Sequence, residues 1–133
     1  MIFPFLEKSK QSMLIAEMLI KQNHYSSTVN RAYYSCLQYI LHILHEKLGH
    51  TQEDLNKTPR NGTHSQAQYL LEMSLVRKVG SNKKDYKWLQ EKFPEFKQDR
   101  VIADYYSDAL NQEKGYGAIN TAHSIINTLK KYY

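Results

Sequence analysis

From His24 to Gly49 the chain reads HYSSTVNRAYYSCLQYILHILHEKLG. Its apolar members, Val29, Ala32, Tyr33, Cys36, Leu37, Ile40, Leu41, Leu44 and Leu48, return at three- and four-residue steps. That period marks one face of a core-facing α-helix about five turns long. Ser26 or Ser27 offers a capping hydroxyl at its start, and Gly49 a left-handed residue at its end. Upstream, PFLEKSKQSMLIAEMLIKQ sets Leu6, Met13, Ala16 and Ile20 near one face, with Pro4 suited to a first turn. Between about residues 49 and 62 the period collapses into a polar loop, where Pro59 and Asn61-Gly62 supply turn chemistry. Thr63 is placed to cap a third helix, HSQAQYLLEMSLVRKVG, which Gly80 stops. Ser81-Asn82 open a fourth, KKDYKWLQEKFPEFKQDRVIADYY, which Pro94 is expected to kink or divide. An Asn111 cap starts the last, with Ala118, Ile119, Ala122, Ile125, Ile126 and Leu129 on one side; Gly115 and Gly117 weaken its first turns by up to about 1 kcal/mol each. No stretch alternates long enough to read as a strand, and no repeat is visible. The pattern predicts an all-α, antiparallel bundle of about five helices in one domain over residues 1–133.

The length changes little in this picture: 133 residues suffice for one sizeable core and exclude a second catalytic domain. Charge adds something. Eighteen Lys and Arg against thirteen Asp and Glu give +5, which favours a polyanionic partner through counterion release, although such a charge also serves ordinary solubility. The lysine-rich spots SNKKDYK and KKYY are short, so there is no extended basic tail. No apolar run approaches the length that crosses a bilayer, so no membrane association is expected. In MIFPFLEKSKQ the charges follow the apolar residues, the reverse of a secretory signal. The single cysteine excludes an internal disulfide framework and fits a reduced, cytoplasmic setting.

Candidate chemistry gathers on the second helix. At about 100° per residue, Arg31, Tyr34, Gln38, His42 and His45 fall within one narrow arc opposite the apolar stripe. A solvent face usually carries Lys and Glu. This mixture of guanidinium, phenol, amide and imidazole suits a protein interface or an RNA contact, where planar groups stack and arginine pairs with phosphate. It suits equally a helix packed on both sides, with its polar tips satisfied locally. His42, His45 and Glu46 could chelate a metal from one helix, but further ligands at matching spacing are missing, so neither a metal nor any other cofactor is expected. Cys36 falls in the apolar stripe and reads as a small core residue. With no Gly-x-Ser-x-Gly elbow and no glycine-rich phosphate loop, no catalytic residue is assigned. Arg100 and Asp104 stand at i,i+4 spacing, which permits a local ion pair or a functional arginine.

Three separated blocks, in order, resemble one family. NRAYYSCLQYILHILHEKLG is similar to the signature helix of HEPN domains (higher eukaryotes and prokaryotes nucleotide-binding), which runs close to NRAYYAxFHAA. GTHSQ resembles the family's KTHSG, and RVIADYYSDALNQEKGYGAINTAHSIINTL resembles its R-x-x-ADY followed by a capped final helix. The resemblance spans nearly the whole chain and implies a bundle of four to five helices that often forms a homodimer. Catalytically active HEPN domains are metal-independent ribonucleases marked by an Arg and a His with four to six residues between them. Here Arg100 is followed at those positions by Tyr105, Tyr106 and Ser107, and Arg31 by Cys36, Leu37 and Gln38. Arg60 meets Ser65, Gln66 and Ala67, with His64 one residue too early, and Arg77 meets Asn82, Lys83 and Lys84. An amide does not titrate and a phenol does so only near pH ~10, so Gln38 and Tyr105 cannot replace the imidazole.

The resemblance therefore implies a non-catalytic module for RNA or nucleotide binding and dimerisation, working with a separate nucleotidyltransferase or in a toxin–antitoxin or phage-defence system. The residues expected to carry it are Arg31, Tyr34, Gln38, His42, His45, Arg100, Asp104 and Tyr105. The alternative is a divergent metal-independent HEPN ribonuclease with a composite active site. It would join Arg31 or Arg100 to His42, His45, His64 or His123.

Overall fold

The longest apolar stripe of the sequence lies at the centre of the molecule. In the computed structural model, which describes residues 4–57, 62–106 and 110–133, helix α2 (Tyr25–His42) touches four other helices. Helix α1 (Pro4–Lys21) packs along it most extensively, followed by α6 (Gln112–Lys130), α5 (Lys84–Tyr105) and α4 (Gly62–Lys78). Val29, Ala32, Tyr33, Cys36, Leu37, Ile40 and Leu44 are all buried, and Leu41 and Leu48 pack half-buried against them. From α1 come Met13, Ala16 and Ile20, and from α6 Ala118, Ile119, Ala122, Ile125, Ile126 and Leu129, each at its helical step. The expected all-α bundle is present, and every regular element among the described residues is helical.

The helix ends differ from the expected ones in instructive ways. Helix α2 begins at Tyr25, one residue before Ser26, and no side chain caps it; Thr28 Oγ1 instead donates back to the His24 carbonyl at 2.7 Å. Asn23, at φ 63°, ends α1 in the left-handed conformation, with His24 N donating to the Leu19 carbonyl at 3.0 Å. At its C-terminal end α2 runs into a π-helical turn, Ile43–Lys47, before Gly49 leaves at φ 71°. The polar stretch beyond is not all loop. Thr51 and Asp54 cap one another reciprocally around a one-turn helix, α3 (Gln52–Leu55), and Leu55 plugs into the core. Pro59 and Asn61 lie outside the described residues, and Thr63 sits inside the first turn of α4 rather than capping it. Asn111 caps α6 as expected, accepting from Lys114 N at 3.0 Å.

Pro94 does not divide α5, which runs unbroken from Lys84 to Tyr105. Phe93 and Phe96 beside it are each 1% exposed, so core packing holds both halves of the helix. Pro94 and Gln90, four residues earlier, lie on the exposed side. Gly115 and Gly117 also differ from one another: a Cβ at Gly115 would collide with the Ile20 side chain of α1, whereas one at Gly117 meets open space. Gly115 is a close-approach residue, and Gly117 is only a flexible one.

Two outcomes follow for unfolding in urea. Leu44→Ala, at a position with no exposure, should cost about 2–5 kcal/mol. Gly117→Ala should add up to about 1 kcal/mol of stability, and Gly115→Ala should add none or subtract.

Candidate functional site

Tyr33 is the only tyrosine placed at zero exposure, and its hydroxyl must find a partner inside the protein. The partner is His64 Nδ1, 2.9 Å away, on the first turn of α4. The Tyr33 ring stacks on Phe93 with centroids 5.6 Å apart and meets Phe96 edge-on, both from α5. One buried phenol thus brings α2, α4 and α5 together at one place.

Arg100, two turns along α5 from Phe93, lies over the rings of both Tyr33 (5.3 Å) and Tyr34 (5.7 Å). Arg31 lies over Tyr34 as well, at 5.3 Å, so the Tyr34 ring carries two guanidinium groups. A chain of hydrogen bonds joins them. Arg31 Nε donates to Asn30 Oδ1 at 3.1 Å, Asn30 Nδ2 to Asp104 Oδ1 at 3.1 Å, and Arg100 Nη1 to Asp104 Oδ2 at 3.1 Å. The Arg100 side chain is only 14% exposed, and its buried Nε–H has no acceptor among the described residues. Lys97, one turn earlier, donates to Ser65 Oγ at 3.2 Å across to α4. Beside this cluster a cleft of about 430 Å³ opens at the start of α2, lined by Ser26, Ser27, Asn30, Arg31 and Asp104 among others.

The electrostatics decide what His64 offers. Burial, then Lys97 and Arg100, push its pKa below the ordinary imidazole value, so it is neutral near pH 7. Burial pushes the Tyr33 phenol far up, so that group keeps its proton. Among the described residues Tyr33 has one hydrogen-bond partner, and donating its proton to Nδ1 satisfies both groups; the opposite arrangement would leave the buried hydroxyl hydrogen without an acceptor among them. Neutral His64 then carries its own proton on Nε2. Its basic nitrogen is occupied, and its other edge is a donor. Among the described residues Arg31, Lys97, Arg100 and His64 bring donors to this region, and Asp104 is the one carboxylate bonded to them.

Of the residues singled out from the sequence, Arg31, Tyr34, Arg100 and Asp104 come together here. Tyr105 follows Asp104 at the end of α5 and stands 74% exposed. Gln38, His42 and His45 do not join them, because α1 covers that side of α2. The Gln38 amide meets Ser12 Oγ of α1 at 2.7 Å, and the Lys8 and Tyr34 carbonyls, 2.9 and 3.1 Å away, call for its nitrogen on that side. His42 is buried toward α1 and α6. His45 Nδ1 donates to the His50 carbonyl at 2.7 Å, and its ring stacks on Phe5 at 5.2 Å. The narrow arc is thus a second packed face. Asn30, Lys97 and the Tyr33 hydroxyl were not singled out. Asn30 and Tyr33 lie within the NRAYY block, but Lys97 left no signal in a lysine-rich helix. Cys36 is fully buried, with burial pushing its thiol up, and no group of three or more His, Cys, Asp or Glu among the described residues could hold a metal.

Among the described residues no helix is long and apolar enough to cross a membrane. Comparison with protein-family models, with curated proteins and with solved structures returns no match to this chain.

The buried imidazole makes stability depend on pH with a definite sign. With its folded pKa below the unfolded value of about 6.5, His64 supports the fold fully above that pH and loses its contribution as pH falls through the folded pKa. His64→Gln keeps an acceptor for Tyr33 but does not titrate. Urea midpoints between pH 7.5 and 5 should therefore fall less steeply for this variant than for the unaltered protein, with the difference lying below about pH 6.5; identical slopes would contradict the placement of His64.

Proposed function

We propose that the chain is a HEPN-like module that binds single-stranded RNA at the α2–α4–α5 cluster without cleaving it. One observation carries the reading: Tyr34 bears two guanidinium groups, Arg31 and Arg100, and Asp104 is the one carboxylate paired with them among the described residues. Phosphate oxygens are acceptors only, and this cluster presents donors. The exposed rings of Tyr105 and Tyr106, directly after Asp104, give unstacked bases a surface to lie on. The His64 tautomer favours holding over cutting, because the nitrogen that would take a proton from a ribose hydroxyl is already engaged by Tyr33.

The three blocks of family resemblance support the same reading and add a homodimer and a separate nucleotidyltransferase partner, in a toxin–antitoxin or phage-defence setting. Self-association would use the exposed apolar side of α1, where Met18 is 61% exposed with Ile15 beside it at 42%.

Fluorescence anisotropy with a labelled single-stranded RNA tests the binding. Affinity should fall steeply with salt, by a log–log slope of roughly 0.7 per phosphate contacted. Arg31→Ala and Arg100→Ala should each weaken it about tenfold, as for a charge-assisted hydrogen bond, and Gln52→Ala in α3 should leave it unchanged. RNA incubated for hours with the protein and a chelator should stay intact. Cleavage that both His64→Ala and Arg100→Ala abolish would replace this reading with a composite ribonuclease, and salt-independent binding would point to a protein partner. Ile15→Lys with Met18→Lys should abolish any dimer seen by sedimentation while leaving RNA binding in place.

A further inference from the structure

On the far side of α2 from the RNA cluster, α1, α2 and α6 border an open cavity of about 590 Å³ that the proposed function does not use. That volume lies within the range of small-molecule sites. Its apolar lining comes from Leu6, Met13 and Leu14 of α1, Ile126 of α6 and Tyr39 of α2, interspersed with the hydroxyls of Ser9 and Ser35 and the polar tips of His42, His123 and Asn127. Its charged side chains are of one sign: Lys10, Lys47 and Lys130 line it, and among the described residues no Asp or Glu does. Two acidic groups stand beside lining histidines, Glu17 3.5 Å from His123 and Glu46 near His42.

A second, independent feature points to the same place. Residues five apart on an α-helix diverge by about 140°, so a continued α2 would carry Lys47 away from His42. The π-helical turn Ile43–Lys47, closed by Leu48 N donating to the Ile43 carbonyl at 3.0 Å, widens the helix there. Lys47 and His42 consequently line one cavity. Single π turns inside α-helices recur at functional sites, because they re-aim a side chain at the cost of regular hydrogen bonding. Here the re-aimed side chain is a cation, delivered to that cavity.

We propose that this cavity binds a free aliphatic anion, an alkyl chain ending in a carboxylate or a phosphate, with the chain against Met13, Leu14 and Ile126 and the head among Lys10, Lys47 and Lys130. Decanoate and decyl phosphate, below their micelle concentrations, are the probes; acetate and decylammonium are the controls. Isothermal calorimetry should show saturable binding of at least one ten-carbon anion and none of either control. Amide shifts in a ¹⁵N spectrum should concentrate at Ser35, Tyr39 and Asn127. Lys10→Ala, Lys47→Ala and Lys130→Ala should each weaken binding about fivefold, the scale of one partly exposed ion pair. Leu14→Trp, at a 60% exposed position the fold does not depend on, should block the cavity and abolish binding. Absence of binding by both anions, equal binding of decylammonium, or unchanged affinity in all three lysine variants would overturn the proposal. Pelleting with phosphatidylglycerol vesicles without any response to the free anions would overturn it too. RNA affinity measured in the same samples is a separate quantity, so failure here leaves the RNA reading standing and failure there leaves this one.

Discussion

A phenol can be buried for the area of its ring only if its hydroxyl keeps a hydrogen bond, and at Tyr33 that requirement organises half the molecule. With no exposure, Tyr33 must reach a partner, and His64 can serve only if the first turn of α4 lies against α2. Its ring faces must be covered, and Phe93, Phe96 and Arg100 from α5 cover them. Residues expected to act at the surface thus owe their positions to a core residue. Arg100 is held by the same ring stack that holds the helix, and it reaches Asp104 one turn further on.

This coupling explains which parts of the molecule were legible in the sequence. The stripe from Val29 to Leu44 and the stripe from Ala118 to Leu129 each lie where a period of 3.6 puts them, because both helices bury one continuous apolar face. The role of the opposite face of α2 was not legible. Helical periodicity reports where apolar groups recur, but a face of Ser, Gln and His can be buried provided partners arrive from another element. Here Ser9, Ser12 and Ser35 supply them: Ser9 Oγ donates to the Ser35 carbonyl at 2.7 Å, and Ser35 Oγ donates to the Ser9 carbonyl at 2.9 Å. Short hydroxyl side chains let α1 approach closely, and Gln38 is drawn into that seam. Pro94 does not divide α5, since the penalty it imposes is local while Phe93 and Phe96 anchor both sides of it.

The site was half legible. Arg31, Tyr34, Arg100 and Asp104 could be picked out one by one, but their convergence depends on the α2–α5 crossing, which no spacing along the chain encodes. His64 illustrates the limit. Sought at a fixed distance in sequence from an arginine, it falls one residue short; in space it comes to Arg100 through Tyr33, from a different helix. That route also alters its chemistry. An imidazole delivered beside arginine on one helix would have a free basic nitrogen, whereas one tied to a buried phenol presents a proton instead.

The central claim, a donor array built around a neutral His64, is tested most directly by the ring nitrogens themselves. Long-range ¹H–¹⁵N correlation spectra of the protein at pH 7 report which nitrogen carries the proton. The account predicts a neutral His64 with Nδ1 unprotonated and Nε2 protonated, and Nε2 shifting when single-stranded RNA is added. A proton on Nδ1, or a His64 resonance unmoved by RNA that binds elsewhere, would contradict it.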